Sequence, residues 1–238
     1  MSLNSLCKVY LLRHTPEPDE LVAAAARICY CDTTAASLLE RETQELSERL
    51  LDELWRSGHH SPFEHASFTF GVDGISRVAT HQLVRHRMAS FSQQSQRYVK
   101  MKAGSPVILP PAVAKNPEAR SLFEKQFAAA HETYRTLVEM GIPAEDARFI
   151  LPHGWETRIV LTMNARELHH FFSLRLCRRA QWEIREMARL MLEECRKVAP
   201  VIFKKAGPSC VREGICREAR PCGKPYKNTE DLLQSEME

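Results

Sequence analysis

Apolar positions along the chain follow two periods, and their alternation divides it into elements. The run Lys8-Val-Tyr-Leu-Leu12 predicts a strand, and Pro16 and Pro18 mark the turn after it. Asp19 is placed to cap an Ala-rich helix running to about Cys29. From about Ala36 to Ser57, Leu39, Leu46, Leu50 and Leu54 fall on one helical face, and Gly58 ends the pattern. Phe68 to Val72 predicts a short strand before a turn at Asp73-Gly74. From Ile75 the period is helical, with Ile75, Val78, Ala79 and Leu83 on the apolar side and Gln82 and His86 projecting into that side.

Val107 to Leu109 reads as another short strand ahead of Pro110-Pro111. A helix is expected from about Pro117 to Met140, ended by Gly141. Glu156 to Met163 alternates as a strand does, and Asn164 with Glu167 has the form of a capping box opening a further helix. Ile184, Met187, Ala188, Met191, Leu192, Cys195 and Val198 form one stripe of a long helix before Pro200. Strands mixed irregularly with long helices imply an α+β fold.

The composition is that of a globular domain: 238 residues, 44% hydrophobic and 26% charged, with 9 Gly and 13 Pro. It excludes collagenous and mostly disordered chains. A formal charge of +3 is too small to coat nucleic acid by charge alone. No basic segment followed by an apolar run opens the chain, and no stretch approaches the ~18 apolar residues of a membrane span. A soluble, cytoplasmic protein without membrane or nucleic-acid partners is expected.

Charge is distributed unevenly. Residues 74–117 contain no Asp or Glu but hold Arg77, Arg85, Arg87, Arg97, Lys100, Lys102 and Lys115. Guanidiniums without internal counter-ions need an anion from elsewhere, and their planar donor forks suit phosphate. Ser90, Ser92 and Ser95 add hydroxyl donors, so this stretch predicts a cradle for a phosphate monoester or pyrophosphate. A solvated basic strip is the competing reading. The polar pair Gln82 and His86 must find partners on its apolar side or bear a desolvation cost of ~1–3 kcal/mol per unsatisfied group.

The eight cysteines, at 7, 29, 31, 177, 195, 210, 216 and 222, suggest reduced thiols. Cys210, Cys216 and Cys222 have five residues between successive members, wider than the usual zinc pairs. A plain reduced tail and a metal site there both stay open; elsewhere no metal is expected. The histidines at 59, 60, 65, 81 and 86 lack a His-Glu-x-x-His motif.

From Arg85 the sequence reads Arg-His-Arg-Met-Ala-Ser-Phe-Ser-Gln-Gln-Ser-Gln-Arg-Tyr. Arg-His-Arg, seven residues, Ser95 and then Arg97 resemble the signature of the flavin-dependent thymidylate synthases. His60-Ser61-Pro62-Phe63-Glu64-His65 resembles that family's histidine box, and Tyr10-Leu11-Leu12 with Thr15-Pro16 its first strand and turn. Asn164-Ala165-Arg166, Leu174-Arg175 and Ala180-Gln181-Trp182-Glu183-Ile184 are similar to its C-terminal half. The resemblance covers residues 8–205, dividing the chain into a catalytic domain, 1–205, and a Cys-containing tail, 206–238.

The resemblance implies a central, mainly antiparallel sheet flanked by long helices, in a homotetramer with active sites between subunits. Its reaction would be the methylation of dUMP to dTMP using FAD, NADPH and methylenetetrahydrofolate. By position, Ser61, Arg85, His86, Arg87, Gln93, Asn164, Ala165, Arg166 and His170 would hold FAD. Gln82, Leu83, Val84, Arg85, Gln93, Gln94, Ser95, Gln96, Arg97 and Arg148 would bind dUMP, chiefly through its phosphate. Arg175 would lie against the pyrimidine as a catalytic cation, and His60 would line the flavin and folate side. Gln93, Gln96, His170 and Arg179 depart from the family's common Glu, Gly, Asn and His.

Arg175 shares a predicted helix face with Leu168 and Phe171, where weak solvation strengthens its hold on negative charge. It stays protonated, so its role is electrostatic. No cysteine lies between residues 32 and 176, which agrees with a reaction that needs no thiolate attack on uracil. Ser95 has no triad around it and reads as a phosphate ligand. Two other classes are weighed: a histidine phosphatase using His14 in Leu11-Leu12-Arg13-His14-Thr15, which requires a doubly wound sheet, and an RNA-binding module using residues 74–117 with Phe91 and Tyr98 as stacking surfaces.

Overall fold

The computed structural model describes residues 7–32, 34–38, 44–101 and 106–235, without the side chains of 44–46. The expected apolar positions Leu39 and Leu46, and Lys102 of the basic stretch, fall outside it. One antiparallel sheet has strand order β1-β2-β4-β3, with β1 at Lys8–His14, β2 at Ser67–Ser76, β3 at Ala89–Gln93 and β4 at Glu156–Asn164. Along β4, Thr157, Ile159, Leu161 and Met163 are buried while their neighbours are more exposed, because alternate side chains take opposite faces. Phe68, Phe70 and Val72 repeat the pattern on β2. This is not the doubly wound parallel sheet that a histidine phosphatase needs.

The helices are α1 (Pro18–Arg27), α2 (Gln44–Arg56), α3 (Arg77–Leu83), α4 (Pro111–Ala114), α5 (Pro117–Glu139), α6 (Ala144–Ala147), α7 (Ala165–Arg175), α8 (Trp182–Val198), α9 (Ser209–Arg212) and α10 (Thr229–Gln234). None of the described helices is long and apolar enough to cross a membrane.

Several local expectations are corrected. Asp19 does not cap α1, which begins after Glu17 in a left-handed conformation (φ 44°); its carboxylate accepts the Val201 and Ile202 N–H groups, both at 3.0 Å. Strand β2 continues through Asp73-Gly74 to Ser76, whose hydroxyl caps α3 by accepting the Ala79 N–H at 3.1 Å. Ile75 therefore belongs to the strand. Helix α3 closes at Leu83, Val78 is 43% exposed, and His86 lies beyond the helix instead of sharing a face with Gln82. Val107 forms only a single bridge to Trp155.

The chain divides into two compact units. One, made from the described residues 7–8, 72–85, 92–101 and 106–159, has a core of Phe127, Tyr134, Ala147, Leu151 and Trp155, with Asn116 capping α5 through the Glu118 and Ala119 N–H groups. The other, made from 9–71, 86–91 and 160–238, buries Phe68, Phe70, Leu161, Leu168, Phe171 and Phe203 together with the α8 stripe. Each such side chain contributes ~1.5–3 kcal/mol by leaving water. The residues after 205 join this second unit: Thr229 donates to the Lys204 carbonyl at 3.0 Å, and the Arg178 guanidinium covers the buried Tyr226 ring at 4.2 Å.

Candidate active site

Strand β4 runs directly into α7, and the turn between them is set by Asn164, whose side chain accepts the Glu167 N–H at 2.9 Å. Ala165, the first helical residue, is fully buried and donates its N–H to the Ala66 carbonyl at 2.8 Å, so it contributes framework. Arg166 leaves the opposite side and pairs with Glu64, which lies on a 3-10 turn, Ser61–His65. Ser61, at the start of that turn, is exposed.

A cavity of about 520 Å³ opens among these residues, lined by Trp55, His60, Asn164, Arg166, His170 and Arg212. Its wall is the Trp55 indole, stacked on His60 with ring centres 4.4 Å apart and faced by His169 at 4.0 Å. The Arg212 guanidinium stands 5.4 Å over the indole ring. Desolvation by burial lowers the His60 pKa, as do the Arg166 and Arg212 charges, against the opposing bond from Nε2 to the Trp55 carbonyl. His60 thus presents a neutral ring beside two cations.

Behind this cavity the second unit holds a three-residue relay. The buried His86 ring meets Glu167 Oε1 through Nδ1 at 3.0 Å and accepts the Arg175 Nε–H at Nε2 at 3.1 Å. Because Arg175 can only donate, Nε2 must carry its lone pair, and Nδ1–H donates to the carboxylate. The ring is therefore neutral, in agreement with a pKa pushed down by desolvation more than the Glu167 bond raises it. His86, Glu167 and His170 each bring a potential ligand atom within 4.8 Å of the others. The Arg175 cation on Nε2 gives that trio the character of a hydrogen-bonded cluster.

The first unit gathers another part of the expected site. Arg97 pairs with the Glu145 carboxylate at 2.8 Å, Arg148 donates to the Glu145 carbonyl at 3.1 Å, and Ser95 Oγ accepts the Arg97 N–H at 3.1 Å. The acid absent from the basic stretch is thus supplied to Arg97 by α6. Arg77, named in that stretch but assigned no site, donates to the Gln94 carbonyl at 2.9 Å. Its pKa is lowered by desolvation and then by the nearby Arg148 charge, and of Arg77, Arg97 and Arg148 only Arg97 is paired with a carboxylate, that of Glu145.

Other expected residues are placed differently. Gln93 donates to the Thr80 and Thr157 hydroxyls at 3.2 and 3.1 Å, which fixes β3. The Leu83 side chain is wholly buried, leaving only its backbone to meet a ligand, whereas Val84 is 45% exposed. Gln82, Gln94 and Gln96 are half-buried. Arg85 and Arg87 are exposed, and neither guanidinium makes a hydrogen bond or ion pair among the described residues. Arg179 donates to the Arg220 carbonyl.

A sequence profile of the family described as "Thymidylate synthase complementing protein" matches residues 10–201. The chain is a flavin-dependent thymidylate synthase family member. A flavin-dependent thymidylate synthase of Geobacter sulfurreducens is 52% identical over 219 residues, 91% of this chain and 94% of that one. One from Pyrococcus furiosus is 42% identical over 242 residues, covering 97% of this chain and 99% of the relative. Similarity therefore reaches beyond residue 205 into the tail. The solved structure of a UMP/dUMP methylase, PolB from Streptomyces cacaoi, bound with 5-Br dUMP, superposes with a TM-score of 0.73 at 29% identity, covering 85% of this chain and 95% of that one. Within the family frame, Trp55, Glu145, Glu167 and Arg212 are site residues that the sequence does not point to; Glu167 reads there only as half of a capping box, and the fold brings it to His86, 81 positions away.

Proposed function

We propose that this chain methylates dUMP to dTMP, with methylenetetrahydrofolate as carbon donor and NADPH as the source of hydride through FAD. The observation that carries the reading is Arg175, a half-desolvated cation fixed at the end of α7 by neutral His86 and Glu167. A guanidinium held in that way is preorganised to stabilise negative charge developing at N3 or O2 of the pyrimidine. Burial lowers the Arg175 pKa, yet no base in the relay can take its proton at neutral pH, so it acts by charge.

The 520 Å³ cavity falls in the range of cofactor sites and presents Arg166, Arg212, Asn164 and neutral His60. That donor set fits a dinucleotide whose pyrophosphate is anionic and whose ring system accepts hydrogen bonds. FAD, when bound, supplies hydride transfer from the nicotinamide to the one-carbon unit. Around it, Asn164, Arg166 and His170 orient, and His60 with Trp55 excludes water. Ser61, Arg85, His86 and Arg87 complete the proposed FAD set, His86 acting through Arg175. Ser95, Arg97 and Arg148 bind the dUMP phosphate, which takes the place of the Glu145 carboxylate on Arg97; Gln82, Gln94 and Gln96 add polar contacts.

The chemistry is assigned to residues 1–205, with Arg212 added from the segment that follows, in a cytoplasmic homotetramer whose sites form between subunits. Exposed Met88, Tyr98 and Phe149 (69, 80 and 86% accessible) support association. The deciding experiment mixes the purified chain with FAD and records the visible spectrum, then assays dTMP formation. Flavin retention with turnover that requires NADPH, dUMP and methylenetetrahydrofolate is the expected result. A colourless protein with no dTMP would overturn the reading.

A further inference from the structure

Four of the eight cysteines take no part in the proposed reaction and come together in the second unit. Cys177 follows Arg175 by two residues in the turn after α7, Cys210 lies on α9, and Cys216 and Cys222 sit on the loop that follows. All four line one cavity of about 220 Å³. Gly223, with φ 77°, makes the turn immediately after Cys222 in a conformation that side chains disfavour. None of the four is in a disulfide.

Their surroundings suit a cationic centre ligated by thiolates. Four thiols that line one cavity are drawn together by a metal centre, which takes the place of their protons. Around the cavity, Arg178, Arg212, Arg217 and Lys224 outnumber Glu213 and Glu218 by two positive charges. Four thiolates around a doubly positive core leave two negative charges, which this excess balances.

Spacing selects the kind of centre. A single zinc ion at ~2.3 Å from each sulfur draws its ligands to within ~3.8 Å of one another. Among the described residues, the trio of ligand atoms gathered within 4.8 Å is His86, Glu167 and His170, with no cysteine trio so close. The four cysteines thus share one cavity, but no three of their sulfurs stand as close together as the ligands of a single ion do.

We propose that Cys177, Cys210, Cys216 and Cys222 ligate an iron–sulfur cluster. Four S–H bonds lose their protons to solvent and four Fe–S bonds form; ferrous and ferric iron and inorganic sulfide come from outside the chain, and no electrons are gained or lost. Once bound, the cluster fastens residues 210–222 to the turn that follows Arg175.

The test is to purify the full chain without oxygen, treat a portion with ferrous and ferric iron plus sulfide, and measure iron, acid-labile sulfide and zinc, with electron paramagnetic resonance after dithionite reduction. Expected are iron and sulfide in equal amounts, at least ~2 of each per chain, with a low-temperature signal from the reduced protein. Cys177→Ser and Cys216→Ser should each lose more than half of the iron, while Cys29→Ser, an exposed thiol away from the cavity, keeps it. Wild-type protein without iron and sulfide after reconstitution, stoichiometric zinc without sulfide, or folded Cys177→Ser with undiminished iron would each overturn the assignment. The wild-type measurement stands even where a variant fails to fold.

Discussion

At Arg175 the charge, the tautomer of His86 and the carboxylate of Glu167 depend on one another. Nε2 can accept from Arg175 only while the imidazole is neutral; protonation would set two cations face to face at 3.1 Å. Removing the cation should leave flavin binding intact but eliminate its transition-state interaction, so Arg175→Ala is expected to lower the rate of dTMP formation by ~10²–10³, read in single-turnover assays with the flavin spectrum as control. Glu167→Gln keeps an acceptor for Nδ1–H but withdraws the negative charge that raises the His86 pKa. His86 then stays neutral to lower pH, and the acid limb of the pH–rate profile should move toward acid. An unmoved limb would show that the relay does not govern activity. At the phosphate end, Arg97→Ala should weaken dUMP binding at least ~10-fold, measured by titration, with FAD affinity unchanged.

Among elements, those with strong periodicity or a local cap were legible in sequence. The α8 stripe is buried at six of its seven predicted positions, with Val198 only half-buried, and Asn164 opens α7 as its spacing with Glu167 implied. Strand β3 was not legible, because Ala-Ser-Phe-Ser-Gln is only five residues long with one large apolar side chain, and it becomes extended through partners far along the chain, such as the Arg158 carbonyl that accepts the Gln94 N–H at 2.9 Å just beyond it. Helical phase carried past Leu83 misplaced His86 for the same reason: periodicity does not report where a helix stops. In the candidate site, the arginines and the Ser95 turn were readable from composition and motif, whereas Glu145, Glu167 and Cys177 acquire meaning only through contacts between distant residues. The cap on α5 offers a test free of the site: Asn116→Ala leaves the Glu118 and Ala119 N–H groups without their acceptor. It should cost ~1 kcal/mol in urea unfolding with turnover unchanged.

For the whole molecule, the buried His169 contributes to the response to acid. His169 is enclosed by Trp55 and Phe203, donates from Nε2 to the Ile202 carbonyl at 3.0 Å, and has its pKa lowered to about 3 by burial. Its Nδ1 is buried with no partner to receive a proton's charge. The unfolded chain binds that proton near pH 6.5 and the folded chain only near 3, so stability is complete above about 6.5 and declines as pH falls toward 3. The slope approaches ~1.4 kcal/mol per pH unit. Urea midpoints measured across that window should fall steadily in the wild type and less steeply in His169→Gln. Light scattering should report four chains of 27.3 kDa per particle, and a monomer at micromolar concentration would contradict active sites shared between subunits.

Both units are stitched from separated lengths of chain, with crossings near residues 8, 71, 85, 91 and 159. No single cut releases either one as a contiguous fragment. During synthesis, Phe68 emerges long before Phe203, whose ring packs edge-on against it with centres 5.4 Å apart. A nascent chain ending near residue 159 therefore displays unsatisfied aromatic surface, and ribosome-stalled intermediates of that length should recruit chaperones that the finished protein has no need of.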